Sequence, residues 1–139
     1  MDDLGKISQV LEALDQDGRK RFLSLAQRRA VKAGQAIFRE GDPGEEFFVL
    51  AKGRVRVTAD NLGTEKEVAV LEHGSFFGEM ALTGSMERSA TVTALDEVQM
   101  VAFRGADVRA LLHAYPKALE VLNRVALQRA EATMEKLSE

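Results

Sequence analysis

The sequence predicts an α+β domain in which a strand-rich middle is flanked by helices at both ends. Two periodicities predict it. Apolar residues recur at steps of three and four through residues 1–29 and again after residue 104, the spacing of one helix face. Between them, short apolar pieces return about every ten residues and are separated by glycines, the pattern of a sandwich or barrel. With 139 residues, 45% of them hydrophobic and 29% charged, the chain is long enough to build one core without metal or disulfide staples.

Residues 1–29 read as N-terminal helices. Leu4, Ile7, Val10, Leu11 and Leu14 share a face, with Asp3 or Ser8 as candidate caps. Asp15 to Gly18 reads as a turn, and Phe22, Leu23, Leu25 and Ala26 mark a second short helix. Its polar side, Arg19, Lys20, Arg21, Arg28 and Arg29, reads as a solvated basic surface. Residues 30–103 form the strand region. Lys52-Gly53 turns the chain between Phe47–Ala51 and Arg54–Ala59, and Asp60-Asn61-Leu62-Gly63 supplies residues that tolerate positive φ. Gly41-Asp42-Pro43-Gly44 is a tight connection that neither a helix nor a central strand accepts. Ala90–Leu95 and Val98–Phe103 alternate as two more strands joined at Asp96-Glu97. Residues 104–139 return to helix. Val108, Leu111 and Leu112 mark the first, and Pro116 sits where a first turn tolerates proline. In the last helix, Leu119, Leu122, Ala126, Ala130, Met134 and Leu137 read as one apolar stripe. The whole, 1–139, reads as a single domain.

Composition removes several function classes. There is no cysteine, hence no disulfide, zinc–thiolate site or iron–sulfur cluster. A net charge of −3 argues against broad electrostatic binding to nucleic acid. No apolar run approaches the ~18 residues of a membrane span, and Met1-Asp2-Asp3 is acidic where a signal peptide is basic, so a cytoplasmic protein is expected. His73 and His113 stand alone, without a serine–acid arrangement or metal-ligand spacing, so no enzyme is expected.

The stretch Phe76–Ala94 carries the chemistry. Gly78 stands at a helix start with Glu79 beside it, and Arg88 follows nine residues later, opening an alternating segment. A short helix whose first amides point outward, with an arginine folded back over it, holds a phosphate. Taken singly, Glu79 is a carboxylate favoured by the helix dipole, and Arg88 an ion-pair partner for Glu87 or Asp96. Together, with Ser89 as a further donor, they describe a site that reads hydroxyl with one charge and phosphate with the other: a ribose-phosphate site.

Gly78-Glu79-x-Ala81-Leu82, five residues, then Arg88-Ser89-Ala90-Thr91-Val92 resembles the phosphate-binding cassette of cyclic nucleotide-binding domains. Gly41-Asp42-x-Gly44-x-x-Phe47-x-Val49-x-x-x-Gly53 resembles that family's turn and hairpin, and with the flanking helices the resemblance covers essentially the whole chain. It implies an antiparallel, jelly-roll-like β-roll of about eight strands, a short cassette helix and two C-terminal helices. It also implies that Glu79 accepts from the ribose 2′-hydroxyl, that Arg88 pairs with the exocyclic phosphate oxygens, and that Ser89 adds a donor. The backbone amides of Gly78, Ala81 and Ala90, with Met80 between them, complete the implied cradle. Val70, Leu71, Phe77 and Leu82 are candidates to pack around the ligand or to serve as plain core. Thr133 is implied to meet the base, or it bonds the preceding turn of its own helix. The expected ligand is cyclic AMP, with cyclic GMP the alternative that a hydroxyl at Ser89 accommodates, and no cofactor is expected. The chain ends after the last helix, so the expected output is an effector in trans or a missing fused domain, without direct DNA binding or a membrane. The stripe on that helix leaves two further readings open: a homodimer, or an interaction module that has no use for nucleotide.

Overall fold

The computed structural model describes residues 5–82 and 87–139. Helices α1 (Ile7–Glu12) and α2 (Gln16–Ser24) precede strands β1 (Gln27–Val31), β2 (Ala36–Phe38), β3 (Glu46–Lys52), β4 (Val55–Asn61), β5 (Thr64–Leu71) and β6 (Phe76–Phe77). A 3-10 turn (Glu79–Leu82) separates β6 from β7 (Thr91–Ala94) and β8 (Val98–Arg104), after which come α3 (Gly105–Leu112) and α4 (Pro116–Leu137). The strands form two antiparallel four-stranded sheets in the orders β1-β8-β3-β6 and β2-β7-β4-β5, the β-roll that the sequence implied.

Two adjacent phenylalanine pairs show how the roll is built. Successive side chains on a strand point to opposite faces. Phe47 and Phe76 therefore pack on the helical side of the first sheet, with Phe22 and Phe103, while Phe48 and Phe77 point between the sheets with Val55, Val92 and Met100. Strand β3 is thus buried on both faces, and Phe47–Leu50 reads as a continuous apolar run for that reason. At the β4–β5 hairpin, Leu62 (φ 55°) and Gly63 (φ 89°) form the two-residue turn, so the loop is shorter than the four residues expected.

The structure corrects four local expectations. Helix α2 stops at Ser24, and Arg28 and Arg29 lie in β1 opposite Val101 and Met100. β1 is largely exposed, so it carries no apolar alternation, and its pairing with β8 is what makes it a strand. Helix α1 starts at Ile7 behind Lys6, which makes no side-chain cap, and Ser8 is inside the helix. Asp15, expected in a turn, is the cap of α2, accepting from the Gly18 amide at 2.7 Å. Asp3, Leu4 and cassette residues 83–86 lie outside the described residues. Finally, the inner face of α4 runs through buried Ala118, Leu122 and Val125 and continues through half-buried Arg129, Thr133 and Leu137, while Ala130 and Met134 are exposed. The predicted stripe lies on the side of α4 that faces the roll, with Leu119 and Leu122 on the core and Ala126, Ala130 and Met134 along a cavity beside it. It leaves out Arg129, which a search for apolar positions discards.

Candidate functional site

Between β-roll and α4 lies a cavity of about 360 Å³, within the range of small-ligand pockets. It is lined by Gly78, Glu79, Met80, Arg88, Ser89, Ala90 and Thr133, seven of the eight residues singled out from the sequence. Ala81 is not among them. Its side chain is buried, and its amide donates to the Gly78 carbonyl at 3.1 Å to close the 3-10 turn. The cassette helix is a single 3-10 turn of four residues.

Arg88 is the feature around which the cavity is built. Its relative exposure is 5%, unusual for a group that carries a permanent charge. The guanidinium lies over the Phe38 ring, 4.2 Å from its centroid, and 5.7 Å from that of Phe48, within cation–π range. Nη1 donates to the Glu46 carbonyl at 2.9 Å, whereas Nε is buried with no partner among the described residues. Burial lowers the Arg88 pKa, and the charges of Glu46, Glu79 and Asp42 oppose that shift.

Backbone contacts aim this side chain. The Arg88 amide donates to the Asp42 carbonyl and the Gly41 amide to the Arg88 carbonyl, both at 2.8 Å, and Pro43 bridges to Glu87. The two motifs read separately from the sequence are therefore one unit, in which the Gly41–Gly44 turn clasps the start of the arginine segment. Gly44 has no side chain because the Arg88 guanidinium fills that space. Gly78 is constrained twice. Its φ is +80°, and a Cβ there would sit 2.9 Å from the Glu46 carbonyl oxygen and 3.0 Å from Arg88 Nη1.

Glu79 faces the cavity and is ion-paired to Arg129 of α4, Nη1 to Oε2 at 3.1 Å. The two side chains are only 19% and 15% exposed, so water screens this pair less than a surface one. Arg129 also lies over the Phe76 ring, 4.9 Å from its centroid. The sequence reading missed Arg129. It stands four residues before Thr133 on an uninterrupted helix, hence on the same face, which was the available signal.

The apolar wall on the roll side is Phe38, Val57, Val68, Ala69, Leu71, Phe77 and Val92, and α4 closes the other side with Ala126, Ala130 and Met134 of the predicted stripe. Of the four candidates for ligand packing, Leu71 and Phe77 are here. Leu82 belongs instead to the core under the helices, and Val70 is 42% exposed. A β-bulge explains Val68: Val57 pairs with Ala69 and Thr58 with Glu67, so the extra residue joins Ala69 and Leu71 at the cavity. No group of His, Cys, Asp and Glu suited to a metal ion occurs among the described residues. No helix among them is long and apolar enough to cross a membrane.

The family model for the cyclic nucleotide-binding domain matches residues 28–115. The cyclic AMP receptor protein of Thermus thermophilus is 38% identical over 95 residues, 68% of this chain and 44% of that protein. The structure of the Thermus thermophilus catabolite activator protein superposes with a TM-score of 0.80 at 30% identity, covering 94% of this chain and 62% of that one. The regulatory subunit of a cAMP-independent protein kinase A from Trypanosoma brucei gives a TM-score of 0.82 at 25% identity, over 96% of this chain and 48% of that one. The chain spans between 25% and 44% of the length of the first curated relatives it matches.

Proposed function

Because this chain belongs to the family of cyclic nucleotide-binding domains, we propose that it is a cyclic AMP sensor module whose ligand biases the position of α4. The observation that carries the reading is Arg88: a buried guanidinium whose Nε has no partner among the described residues, set against two aromatic rings at the wall of a cavity that Glu79 also lines. A permanent cation held out of water invites an anion of matching geometry, and a phosphate accepts in the bidentate manner that guanidinium offers. Glu79, turned to the same space, accepts from a sugar hydroxyl. The apolar walls take the base, with Ser89 and Thr133 supplying hydroxyls beside it.

Transmission runs through the Glu79–Arg129 pair, since Arg129 belongs to α4 and Glu79 to the cassette. A hydroxyl donated to Glu79 changes what its carboxylate offers Arg129. A ligand that prefers one placement of α4 shifts the population toward it, by no more than its difference in affinity for the two states. The effector is then whatever α4 meets in trans or carries beyond it. Cyclic GMP is the second reading, because the exposed Ser89 hydroxyl at the cavity suits a guanine amino group.

Calorimetric titration with cyclic AMP, cyclic GMP and adenosine 5′-monophosphate tests the proposal, with a thermal-shift series alongside. Cyclic AMP is expected to bind most tightly, and at ~100 times its Kd it should add ~2.7 kcal/mol of stability. No shift with either cyclic nucleotide at saturation would refute the sensor reading in favour of an interaction module.

A further inference from the structure

We infer that Gly5 is a positioning residue for Arg129, so that the segment leading into α1 helps to set the geometry of the ligand site. The inference rests on the proposed cyclic nucleotide site. Three contacts pin this segment to the edge of the first sheet. The Phe76 amide donates to the Gly5 carbonyl at 2.8 Å, the Ile7 amide to the Gly74 carbonyl at 2.7 Å, and Lys6 Nζ to the His73 carbonyl at 2.8 Å. Lys6 pairs antiparallel with Ser75, so residues 5–7 continue the sheet beyond β6.

Gly5 has a φ of +79°, which turns its missing side chain toward α4. A Cβ at this position would lie 2.9 Å from Arg129 Cζ and 3.2 Å from Nε, and closer still to Nη2. The guanidinium therefore occupies the space between the Gly5 backbone and the Phe76 ring, with Nη1 on Glu79 and Nη2 buried without a partner among the described residues. Gly34 supplies the contrast. Its φ is +86°, yet a Cβ there would meet nothing within 4 Å. Positive φ alone asks for glycine at Gly34, whereas at Gly5 the arginine asks for it as well.

The consequence is that three segments converge on one guanidinium: the N-terminal segment, the cassette through Glu79, and α4 through Arg129 itself. Helix α4 cannot carry Arg129 away without breaking its pair with Glu79. Nor can a side chain be added at Gly5 without displacing Arg129 or lifting residues 5–7 from β6.

A double-mutant cycle of Gly5→Ala and Arg129→Ala, with Gly34→Ala as control, tests this by cyclic AMP titration and thermal melting. Gly5→Ala is expected to weaken binding by about tenfold or more, the scale of one hydrogen bond to a charged group. In the Arg129→Ala background the same change should move the Kd less than twofold, since the clash is gone while the φ strain remains. Gly34→Ala should lower the melting temperature and leave the Kd unchanged. Equal losses from Gly5→Ala in both backgrounds would overturn the inference. If Gly5→Ala does not fold, a double variant that does fold supports the inference, and one that also fails overturns it. The Arg129 Nε–Hε resonance of nucleotide-free protein gives a separate readout. It should move in Gly5→Ala and stay in Gly34→Ala, and an unmoved resonance in both counts against the role. Failure of every cyclic nucleotide to bind wild-type protein would sink the proposed function alone, leaving this resonance to decide the role of Gly5.

Discussion

Replacing Arg88 by alanine separates binding from stability, because the guanidinium acts on each differently. Among the described residues it makes a charged hydrogen bond to the Glu46 carbonyl, and it packs over Phe38. Losing these costs about 1.5–3 kcal/mol for the bond and about 0.5–2 kcal/mol for the ring contact. Against that, the substitution removes a charge that is 5% exposed, with Nε unpartnered among the described residues, whose desolvation penalty is several kcal/mol. The opposing contributions are comparable, so the change in folding stability should stay within about 2 kcal/mol. Binding has no such compensation. A desolvated contact between guanidinium and phosphate is worth about 2–5 kcal/mol when truncated, which weakens the Kd by about thirtyfold to several thousandfold. Arg88→Lys should fall between, since an ammonium keeps the charge and loses the planar fork. Titration calorimetry with cyclic AMP reads the effect, circular dichroism checks the fold, and adenosine serves as a phosphate-free comparison whose affinity should not change. Unchanged cyclic AMP affinity in a folded Arg88→Ala protein would refute the reasoning, as would an equal loss for adenosine.

Three more outcomes follow from the same geometry. Arg129→Ala should raise amide exchange in the last turns of α4, followed by mass spectrometry, because it removes the half-buried pair to Glu79; unaltered exchange there would detach α4 from the cassette. Gly78→Ala should destabilise the protein by at least about 1 kcal/mol from its positive φ alone, with crowding against Glu46 and Arg88 adding to the loss in a denaturant melt. Asp15 has its pKa lowered below the ordinary 3.8, first by the Gly18 amide and then by the Tyr115 hydroxyl. A folded-state pKa below the unfolded one gives stability that is complete above about pH 4 and is lost as pH falls through the folded value. Asp15→Asn keeps a good helix cap, so its melting temperature should fall less steeply than that of the wild type below pH 4, and identical acid limbs would exclude Asp15 from that dependence.

Glycine spacing and the change of apolar period made the roll and its flanking helices legible, because turns and strands leave local marks. Six of the eight candidate site residues line one cavity for a similar reason, since the cassette is nearly continuous in sequence, whereas Thr133, the seventh there, arrives on α4. Elements defined by partners were not legible. β1 has no alternation because successive residues on both of its faces are exposed, and only the pairing with β8 makes it a strand. On α4 the apolar stripe was legible and Arg129 was not, because burial of an arginine is tolerated only where Glu79 and the Phe76 ring wait for it.

The sequence by itself determined the class of fold, the family resemblance and the pairing of an acid with a base in one short stretch. Those features follow from hydrophobic period, from backbone torsions that glycine tolerates best, and from residue chemistry at short range. Tertiary structure alone decided what surrounds each charge. It clasped Arg88 with the Gly41–Gly44 turn, gave Glu79 a partner fifty residues away on α4, and placed Gly5 against that partner. The energy of a charge depends on its burial and on the charges and dipoles around it, and those neighbours arrive from distant parts of the chain only when it folds.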